Sequence, residues 1–341
     1  MKLERFEGCW TAMVTPFDRK GEIDYEGLEK NILFQIENGA NLVPTGTTGE
    51  SPTLDWREHD RVITKTARLA KGKGFVMAGT GSNSTKEAMR GTKHAVEVGA
   101  QAALLVDCYY NGPSSLELRT QYYELIAKAF RKTFFVPYVI PGRTGTKLEV
   151  EDLAILHRKH KNVRSVKEAT ADLERMAKTR RLCGDDFDIL SGDDDKTYEM
   201  MTRDDVCASG VVSVMSNIVP GPIGEMVKAI LNGNMEKADR LKSTLDPLFR
   251  MVTVNTTESY EGFEVPAKFR NPVAIKTMMK GLGLPSGPCR PPLGKMTPKG
   301  VEIVRNGLRE VYAKDREVFT PLQDFYKINV AERISNDRYW K

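Results

Sequence analysis

The sequence predicts an α/β protein: a TIM, or (β/α)8, barrel followed by a C-terminal helical domain. Two stretches, 27–50 and 87–110, repeat one order of features: a helical pattern, a Gly-Ala pair, and an apolar strand that ends in a turn. A further strand pattern, at 74–82, lies between them. The spacing amounts to β-α units of about 30 residues each, which indicates a repeating parallel sheet.

Eight strand candidates recur in the first two thirds of the chain. They occupy 9–17, 40–46, 75–80, 102–108, 134–140, 164–169, 187–192 and 208–215. Eight strands with helical spacers match the size of a (β/α)8 barrel. The structural alternative, a doubly wound sheet, would require a glycine-rich phosphate fingerprint, and GTGSNS at 79–84 falls short of one.

The strand pattern stops after about residue 222, and helical spacing of apolar residues continues beyond it. The helical patterns occupy 225–252, 271–283 and 299–319. The Pro- and Gly-rich stretch 284–298 is typical of a rigid extended loop. We therefore predict a catalytic barrel domain at 1–222 and a C-terminal helical domain with an extended tail at 223–341.

Composition narrows the class of protein. Of 341 residues, 40% are hydrophobic and 28% are charged, which is enough apolar material for a sizeable core. The net charge of +5 is spread without a basic block, so nothing indicates nucleic acid. Five scattered cysteines without a CxxC pair favour free thiols in a reducing cytoplasm. With no apolar signal region and no apolar run long enough for a membrane, we expect a soluble cytoplasmic protein.

Polar residues gather where the predicted strands end, which is where a (β/α)8 barrel forms its active site. Strand 2 ends in GTTGE at 46–50, whose glycines let a ligand approach the backbone and whose threonines offer hydroxyls. Alone, this motif is equally typical of a tight turn that caps the next helix. The other candidates are Tyr109 and Tyr110 after strand 4, Tyr138 and Arg143 at the end of strand 5, Lys167 on strand 6, and Asp193 to Asp195 after strand 7.

Lys167 ends strand 6 within NVRSVKEATADL, at 162–173. A single lysine at a strand end is most often solvated or paired with a nearby carboxylate such as Glu168. Inside a barrel mouth, burial would lower its pKa and leave a neutral amine able to attack a carbonyl. Tyrosine suits acid-base chemistry beside a Schiff base, and arginine binds a carboxylate bidentately. Lysine, tyrosines, threonines and arginine together indicate carbinolamine chemistry on a keto acid.

Other reactive side chains give weaker signals. His157 and His160 lie on a Lys/Arg-rich segment that is typical of an exposed helix end. The run from Asp193 to Asp195 could bind a divalent ion, but capping and turn formation explain it better without further carboxylates at metal spacing. We therefore predict no metal site, and no Ser-His-Asp set is indicated.

Several motifs, in order, resemble the dihydrodipicolinate synthase/N-acetylneuraminate lyase family of class I aldolases. They are GTTGES, GTGSNST, YYNGPS, PGRTG, VKEAT, SGDD and GVVSVMSN, followed later by RPPL at 290–293. The resemblance implies a lyase that joins pyruvate to a small aldehyde through a covalent Schiff base, with no cofactor. YYN-x-PS and GRTG favour the branch that condenses pyruvate with L-aspartate 4-semialdehyde in lysine (diaminopimelate) biosynthesis.

Carried over by motif, the resemblance implies four catalytic residues. Lys167 would form the Schiff base with pyruvate, and Tyr138 would donate and accept protons beside it. Thr48 would link Tyr138 to Tyr110 in a proton relay, with Tyr110 reaching across from a neighbouring subunit. The family's usual assembly, a homotetramer built as a dimer of dimers, would provide that neighbour.

The resemblance also implies a substrate-binding set. Thr47 with the Thr48 backbone would hold the pyruvate carboxylate, Arg143 would bind the semialdehyde carboxylate, and the Val212 carbonyl would face the site. Some members are inhibited by lysine at positions that match Pro52, Trp56, His59, Asn83, Glu87 and Tyr109. Trp56 stands where many bacterial members have histidine, a departure that bears on lysine sensitivity.

Further departures concern the second substrate and the assembly. Val139 replaces a common asparagine, and the segment 251–272 and the tail after about residue 320 make this chain longer than typical members.

The same lysine chemistry also serves 2-keto-3-deoxy sugar acid aldolases, N-acetylneuraminate lyase and the hydratase-aldolase branch. The stretch GPCRPP at 287–292 also resembles the hydratase-aldolase branch. A catalytically inactive regulatory barrel is the alternative from another class, and the intact set of Lys167 and its partners argues against it.

Overall fold

The structure, a computed structural model that describes residues 3–341, contains an eight-stranded parallel barrel. Its strands are β1 Gly8–Ala12, β2 Asn41–Val43, β3 Met77–Gly79, β4 Ala102–Val106, β5 Phe134–Val139, β6 Ser165–Glu168, β7 Asp188–Ser191 and β8 Gly210–Ser213. They are hydrogen-bonded in the order β2-β1-β8-β7-β6-β5-β4-β3. A parallel bridge between Leu42 and Val76 joins β2 to the residue before β3 and closes the ring. The predicted barrel is confirmed, and all eight strands overlap their predicted ranges.

Helices follow the strands as the β-α repeat predicted. They are α1 Tyr25–Glu37, α2 Trp56–Ala70, α3 Thr85–Glu97, α4 Ser115–Glu117, α5 Glu124–Ala129, α6 Pro141–Thr144, α7 Val150–Lys159, α8 Leu173–Cys183, α9 Thr197–Thr202 and α10 Pro220–Leu231. A π-helical turn, Leu118–Tyr123, joins α4 to α5. Gly39 and Gly99 follow α1 and α3 with φ of 72° and 91°, the left-handed conformation that a helix C-terminus favours.

The inward-facing side chains of the strands form one buried cluster in the barrel. Because side chains alternate between the two faces of a strand, every second residue contributes, as with Trp10, Leu104 and Val212. Tyr138 belongs to this cluster and pairs in register with Lys167 of the next strand. The register therefore places Lys167 in the same inward layer, at the carboxyl end of β6.

The chain after α10 combines helices with an antiparallel hairpin. The helices are α11 Met235–Phe249, α12 Val273–Leu282, α13 Pro298–Lys314, α14 Thr320–Tyr326 and α15 Val330–Ser335. The hairpin strands are β9 Val254–Tyr260 and β10 Phe263–Phe269, with full pairing from Phe269↔Val254 to Phe263↔Tyr260. This hairpin corrects the expectation of helices alone after residue 222. Its two-residue turn has positive φ at Glu261 (50°) and Gly262 (84°), which matches the twist of paired strands.

The division at residue 222 stays a prediction. Helix α10 begins at Pro220 and packs against β1. One buried cluster continues from Val211 on the barrel through Met226 to Leu308 on α13. Among residues 3–341, no helix has both the length and the apolar composition needed to cross a membrane.

Candidate functional site

A cavity of about 410 Å³ opens at the carboxyl ends of the barrel strands. The residues singled out from the sequence that line it are Thr47, Thr48, Tyr138, Arg143, Lys167 and Asp193. A smaller cavity of about 230 Å³ lies beside it and shares Thr47, Tyr138 and Arg143. Side chains at or just after the carboxyl ends of β2, β5, β6 and β7 therefore meet at one place, as the barrel topology predicted. We call the larger cavity the Lys167 cavity.

Lys167 lies at the centre of this arrangement. Its side chain is buried, with 6% of the residue exposed, and its Nζ atom lies 4.0 Å from the centre of the Tyr138 ring. Burial lowers the pKa of Lys167 from 10.5 to about 8, against the opposing effect of the Asp193 and Asp194 carboxylates. The lysine forms no ion pair with any residue of 3–341. With this pKa, roughly a tenth of the amine is neutral at pH 7, far more than for an ordinary lysine.

Gly192 gives the lysine side chain its room. A Cβ atom at this position would lie 2.6 Å from the Cβ of Ala169 and 3.2 Å from the Cε of Lys167. Any larger residue would therefore clash with Ala169 and crowd the Lys167 side chain. This close approach explains the glycine of the SGDD motif.

The first two of the three aspartates that follow Gly192 have different surroundings. Asp194 is buried and accepts hydrogen bonds from the Ser213 hydroxyl and from the N–H groups of Val214 (2.9 Å) and Met215 (3.1 Å). It therefore holds the turn after β8, in agreement with a turn-forming role. Asp193 lines the Lys167 cavity, where burial raises its pKa to about 6. Residues 3–341 contain no group of three or more His, Cys, Asp or Glu side chains placed to share a metal ion.

The two threonines of GTTGE face different partners, and the relay through Thr48 stays a prediction. Burial raises the pKa of Tyr138 to about 12, while Arg143 and the neighbouring Thr47 hydroxyl lower it. Thr48 is buried and accepts a hydrogen bond from the Asn271 side-chain amide at 2.9 Å. Because consecutive residues of the turn point in different directions, Thr47, rather than Thr48, lies beside Tyr138.

Tyr110 is absent from the cavity walls of its own chain. It is 92% exposed, and its φ of 72° is a left-handed conformation that costs free energy for a residue with a side chain. The Asn111 N–H donates to the Tyr109 carbonyl at 3.0 Å, so the backbone turns sharply at Tyr110. The structure thus presents a fully accessible phenol on a strained turn and leaves this chain's own cavity without it.

Arg143 and Val212 take different positions relative to the cavity. Arg143, on α6, donates from Nη2 to the Asn271 carbonyl at 3.0 Å. Partial desolvation lowers its pKa, and the nearby Arg270 guanidinium lowers it further. Val212 is buried in the barrel cluster, and Val214, two residues later, lines the cavity.

Five of the six positions matched to a lysine effector have identifiable surroundings, which differ from one another; Asn83 is the sixth position. Pro52 and Tyr109 line the smaller cavity. The Trp56 and His59 rings pack together with their centres 4.9 Å apart, and burial lowers the pKa of His59 to about 4. Glu87 accepts a hydrogen bond from the Ser82 hydroxyl at 2.7 Å. The effector role of this set stays a prediction.

A buried ion pair beneath the GTTGE turn was missed by the sequence analysis. The Lys276 ammonium donates to Glu50 Oε1 at 2.6 Å and to the carbonyls of Thr15 and Pro288. The N–H of Arg290 donates to Glu50 Oε2 at 2.8 Å. The helix α12 and the RPPL segment therefore hold the turn that carries Thr47. No local pattern in the sequence pairs Glu50 with a lysine so far along the chain.

Comparisons with known proteins point in one direction. Residues 5–310 match the model of the dihydrodipicolinate synthetase family. The 4-hydroxy-tetrahydrodipicolinate synthase of Syntrophus aciditrophicus is 42% identical over 307 residues, which cover 90% of this chain and 97% of the relative. The structure of the 4-hydroxy-tetrahydrodipicolinate synthase of Methylacidiphilum fumariolicum superimposes with a TM-score of 0.83 at 36% identity, covering 93% of this chain and 99% of that one. The dihydrodipicolinate synthase of Acinetobacter baumannii, solved in complex with pyruvate, gives a TM-score of 0.80 at 33% identity, covering 89% and 98%.

Proposed function

Since the chain belongs to the dihydrodipicolinate synthetase family, we propose that it acts as a 4-hydroxy-tetrahydrodipicolinate synthase, a lyase that condenses pyruvate with L-aspartate 4-semialdehyde in lysine biosynthesis. The observation that carries the proposal is the buried Lys167 amine, with a pKa of about 8, placed 4.0 Å from the Tyr138 ring in the Lys167 cavity. A neutral amine beside a phenol is the pair that Schiff-base formation requires.

The first half of the reaction uses pyruvate alone. The neutral Lys167 amine attacks C2 of pyruvate and forms a carbinolamine, and the Tyr138 phenol supplies the proton with which the C2 hydroxyl leaves as water. The product is an imine between Nζ and C2. Loss of a proton from C3 to a base, for which the Tyr138 oxygen is the nearest candidate, gives the enamine nucleophile. Burial holds the Tyr138 pKa near 12, so the phenol is neutral and able to donate at the outset.

The second half joins the aldehyde. The enamine C3 attacks the aldehyde carbon of the semialdehyde, whose oxygen takes up a proton and becomes the 4-hydroxyl. The semialdehyde amino group then attacks the C2 imine and expels Lys167 as the free amine, which closes the ring. One water is released per pyruvate and semialdehyde consumed, and the enzyme returns to its starting state without a cofactor.

The proposed roles of the surrounding residues follow their positions. Thr47, beside Tyr138, is the better candidate than Thr48 for passing the proton onward. The backbone of the turn that carries both threonines would hold the pyruvate carboxylate, and Arg143 the semialdehyde carboxylate. Tyr110 of a second copy would complete the relay, and its exposure and its strained turn support that assignment. An isolated protomer would lack this group, so we propose an oligomer, with the tetramer as the family expectation.

We expect kcat/KM for pyruvate to rise with pH through a midpoint near 8. Below that pH the Lys167 ammonium has no lone pair for attack, and above it the neutral amine predominates. In Asp193→Asn the midpoint should move to lower pH, because the carboxylate that stabilises the ammonium is gone. Initial rates of borohydride-trapped pyruvate adduct, measured across pH, test both statements. A midpoint near the ordinary lysine value of 10.5, or an upward shift in the variant, would contradict the assignment.

The function itself is tested by a panel of aldehydes supplied with pyruvate. The panel contains L-aspartate 4-semialdehyde, D-glyceraldehyde, N-acetylmannosamine and an aromatic aldehyde, and the products are identified by mass spectrometry. We expect efficient condensation with the semialdehyde alone. Preference for a sugar or aromatic aldehyde would replace the proposed function by another aldolase of the same chemistry. Absence of any borohydride-trapped adduct at Lys167 would contradict the proposed function and every other aldolase reaction that uses this lysine.

A further inference from the structure

The hairpin β9–β10 contributes its base to the wall of the Lys167 cavity. Asn255 and Lys268, which lie directly opposite each other in the two strands, both line the cavity, and so does Arg270, which follows β10. This segment is the one that the sequence set apart from the family pattern. The hairpin therefore changes the composition of the site as well as the length of the chain.

The two faces of the hairpin have separate surroundings. On one face, Thr297 at the start of α13 donates to Glu258 at 2.7 Å, and the Phe269 ring lies against Gly300 of the same helix. Because side chains of paired strands alternate in direction, Asn255 and Lys268 lie on the opposite face. Because one face of the hairpin packs against α13, the other face, which carries Asn255 and Lys268, is turned toward the Lys167 cavity.

The hairpin base is tied to the loop that carries Arg143 by two reciprocal hydrogen bonds. Arg270 donates from Nη1 to the Gly142 carbonyl at 2.9 Å, and Arg143 donates from Nη2 to the Asn271 carbonyl at 3.0 Å. Each guanidinium donates one hydrogen bond to a backbone carbonyl and has further N–H groups with which it can bind a ligand. Two guanidinium groups are held near each other as a result.

These cations outnumber the carboxylates near them. None of Arg143, Lys268 and Arg270 forms an ion pair with any residue of 3–341. The Arg143 and Arg270 guanidinium groups repel each other, and this repulsion contributes, after desolvation, to the lowered pKa of Arg143. Asp193, the one carboxylate among residues 3–341 that lines the cavity, stabilises the Lys167 ammonium and also raises the pKa of Arg143. This single carboxylate faces the four cations Arg143, Lys167, Lys268 and Arg270. An excess of cations over carboxylates favours binding of an anion.

An unsatisfied acceptor lies next to them. Asn271 is buried, with 7% of the residue exposed, and lines the Lys167 cavity. Its side-chain amide nitrogen donates to Thr48, while its Oδ1 atom has no hydrogen-bond partner among residues 3–341. A buried carbonyl oxygen without a donor costs free energy, so a ligand that brings an ammonium or hydroxyl donor would be favoured there.

We propose that the hairpin base is an added acceptor-binding element in which Lys268 and Arg270 act with Arg143 to hold the carboxylate of the aldehyde substrate. This inference rests on the proposed function for the identity of the reaction and specifies the acceptor class: an aldehyde with a carboxylate remote from the reacting carbon. An α-amino group on that acceptor would meet Asn271 Oδ1. The hairpin thereby favours amino-acid semialdehydes over neutral sugar aldehydes.

The test measures binding separately from turnover. Borohydride reduction of the pyruvate adduct gives an enzyme that cannot react, and calorimetry with 4-oxobutanoate, the semialdehyde without its amino group, reports acceptor binding. We expect Lys268→Gln and Arg270→Gln each to weaken this binding about 10-fold or more, the usual effect of losing a hydrogen bond to a charged group. Both variants should trap pyruvate at the wild-type rate. Arg270→Lys, which keeps the charge but lacks the fork, should fall between wild type and Arg270→Gln.

Lys295→Gln is the matched control, because Lys295 is exposed and lies on the wall of a different cavity. It makes the same charge change and should bind 4-oxobutanoate as wild type does. Unchanged binding in Lys268→Gln and Arg270→Gln, or equal loss in the control, would overturn the inference. If the wild type does not turn over L-aspartate 4-semialdehyde, yet the reduced enzyme binds 4-oxobutanoate through Lys268, the proposed reaction fails and the anion-binding hairpin stands.

Discussion

Replacing Lys167 with arginine should lower the rate of condensation by about 10⁴-fold or more, the scale on which loss of a covalent nucleophile acts. Arginine preserves a positive charge at the end of β6, but its guanidinium stays protonated at any working pH and offers no neutral amine. The substitution therefore separates the nucleophile from the charge. Steady-state rates with pyruvate and the semialdehyde measure the loss, and borohydride trapping followed by peptide mapping locates the adduct.

Lys196→Arg is the control for this substitution. Lys196 follows β7 near the same end of the barrel, pairs with Glu199 at 3.2 Å, and does not line the Lys167 cavity. Its variant should retain wild-type kinetics and the adduct at Lys167. An adduct that persists on another lysine in Lys167→Arg would show that the nucleophile has been misassigned. Circular dichroism establishes whether both variants keep the barrel.

The barrel and the position of Lys167 at its rim could be predicted because both depend on local, repeating signals. Each strand is a short apolar run that ends in a polar turn, and the barrel topology brings every such turn to one rim. The position of Lys167 at the rim could therefore be predicted from its place at the end of the sixth strand alone. Its register with Tyr138 follows from the same repeat, since neighbouring parallel strands place their ends side by side.

The hairpin β9–β10 and the orientation of Thr47 and Thr48 could not be predicted from local sequence patterns. In the hairpin, β-branched and aromatic residues flank Glu261-Gly262, which is a turn signal, but Pro266 within β10 weakens the strand pattern. The direction of Thr47 and Thr48 is decided by a partner that is remote in sequence, because Asn271 donates to Thr48 across the rim. Motif matching singled out both threonines, which line the Lys167 cavity, and could not tell which one lies beside Tyr138.

The two buried lysines near this rim differ in their counter-charges, and this difference separates catalysis from stability. Burial lowers the pKa of both Lys167 and Lys276. Lys276 has the Glu50 carboxylate at 2.6 Å, which opposes the shift and favours the ammonium. Lys167 has no carboxylate within ion-pair distance among residues 3–341, so desolvation dominates and the neutral amine becomes accessible. Of the two buried lysines, we therefore expect the one without a carboxylate partner, Lys167, to act as the nucleophile.

Removal of the partnered lysine should therefore act on stability. We expect Lys276→Met to lower the free energy of unfolding by about 3–5 kcal/mol, because it removes the ion-pair partner of the buried Glu50 carboxylate. The backbone N–H of Arg290 still donates to Glu50, whereas the Arg290 guanidinium is paired with Glu58 and compensates Glu50 only from a greater distance. Glu50 also adopts a left-handed φ of 55° at the end of GTTGE, so loosening it should disturb the Thr47 turn and raise the KM for pyruvate. Urea unfolding and steady-state kinetics measure the two effects.

The double variant Glu50→Gln/Lys276→Met distinguishes charge imbalance from lost packing. With the carboxylate gone, the buried charge that makes the single variant unstable is absent, and most of the lost stability should return. Lys280→Met, one turn further along α12 on an exposed position, should change the free energy of unfolding by less than about 0.5 kcal/mol. If the double variant were as unstable as the single one, packing of the lysine stem, and not the ion pair, would hold the turn. If Lys276→Met matched Lys280→Met, the Glu50–Lys276 pair would contribute nothing to the rim on which the site is built.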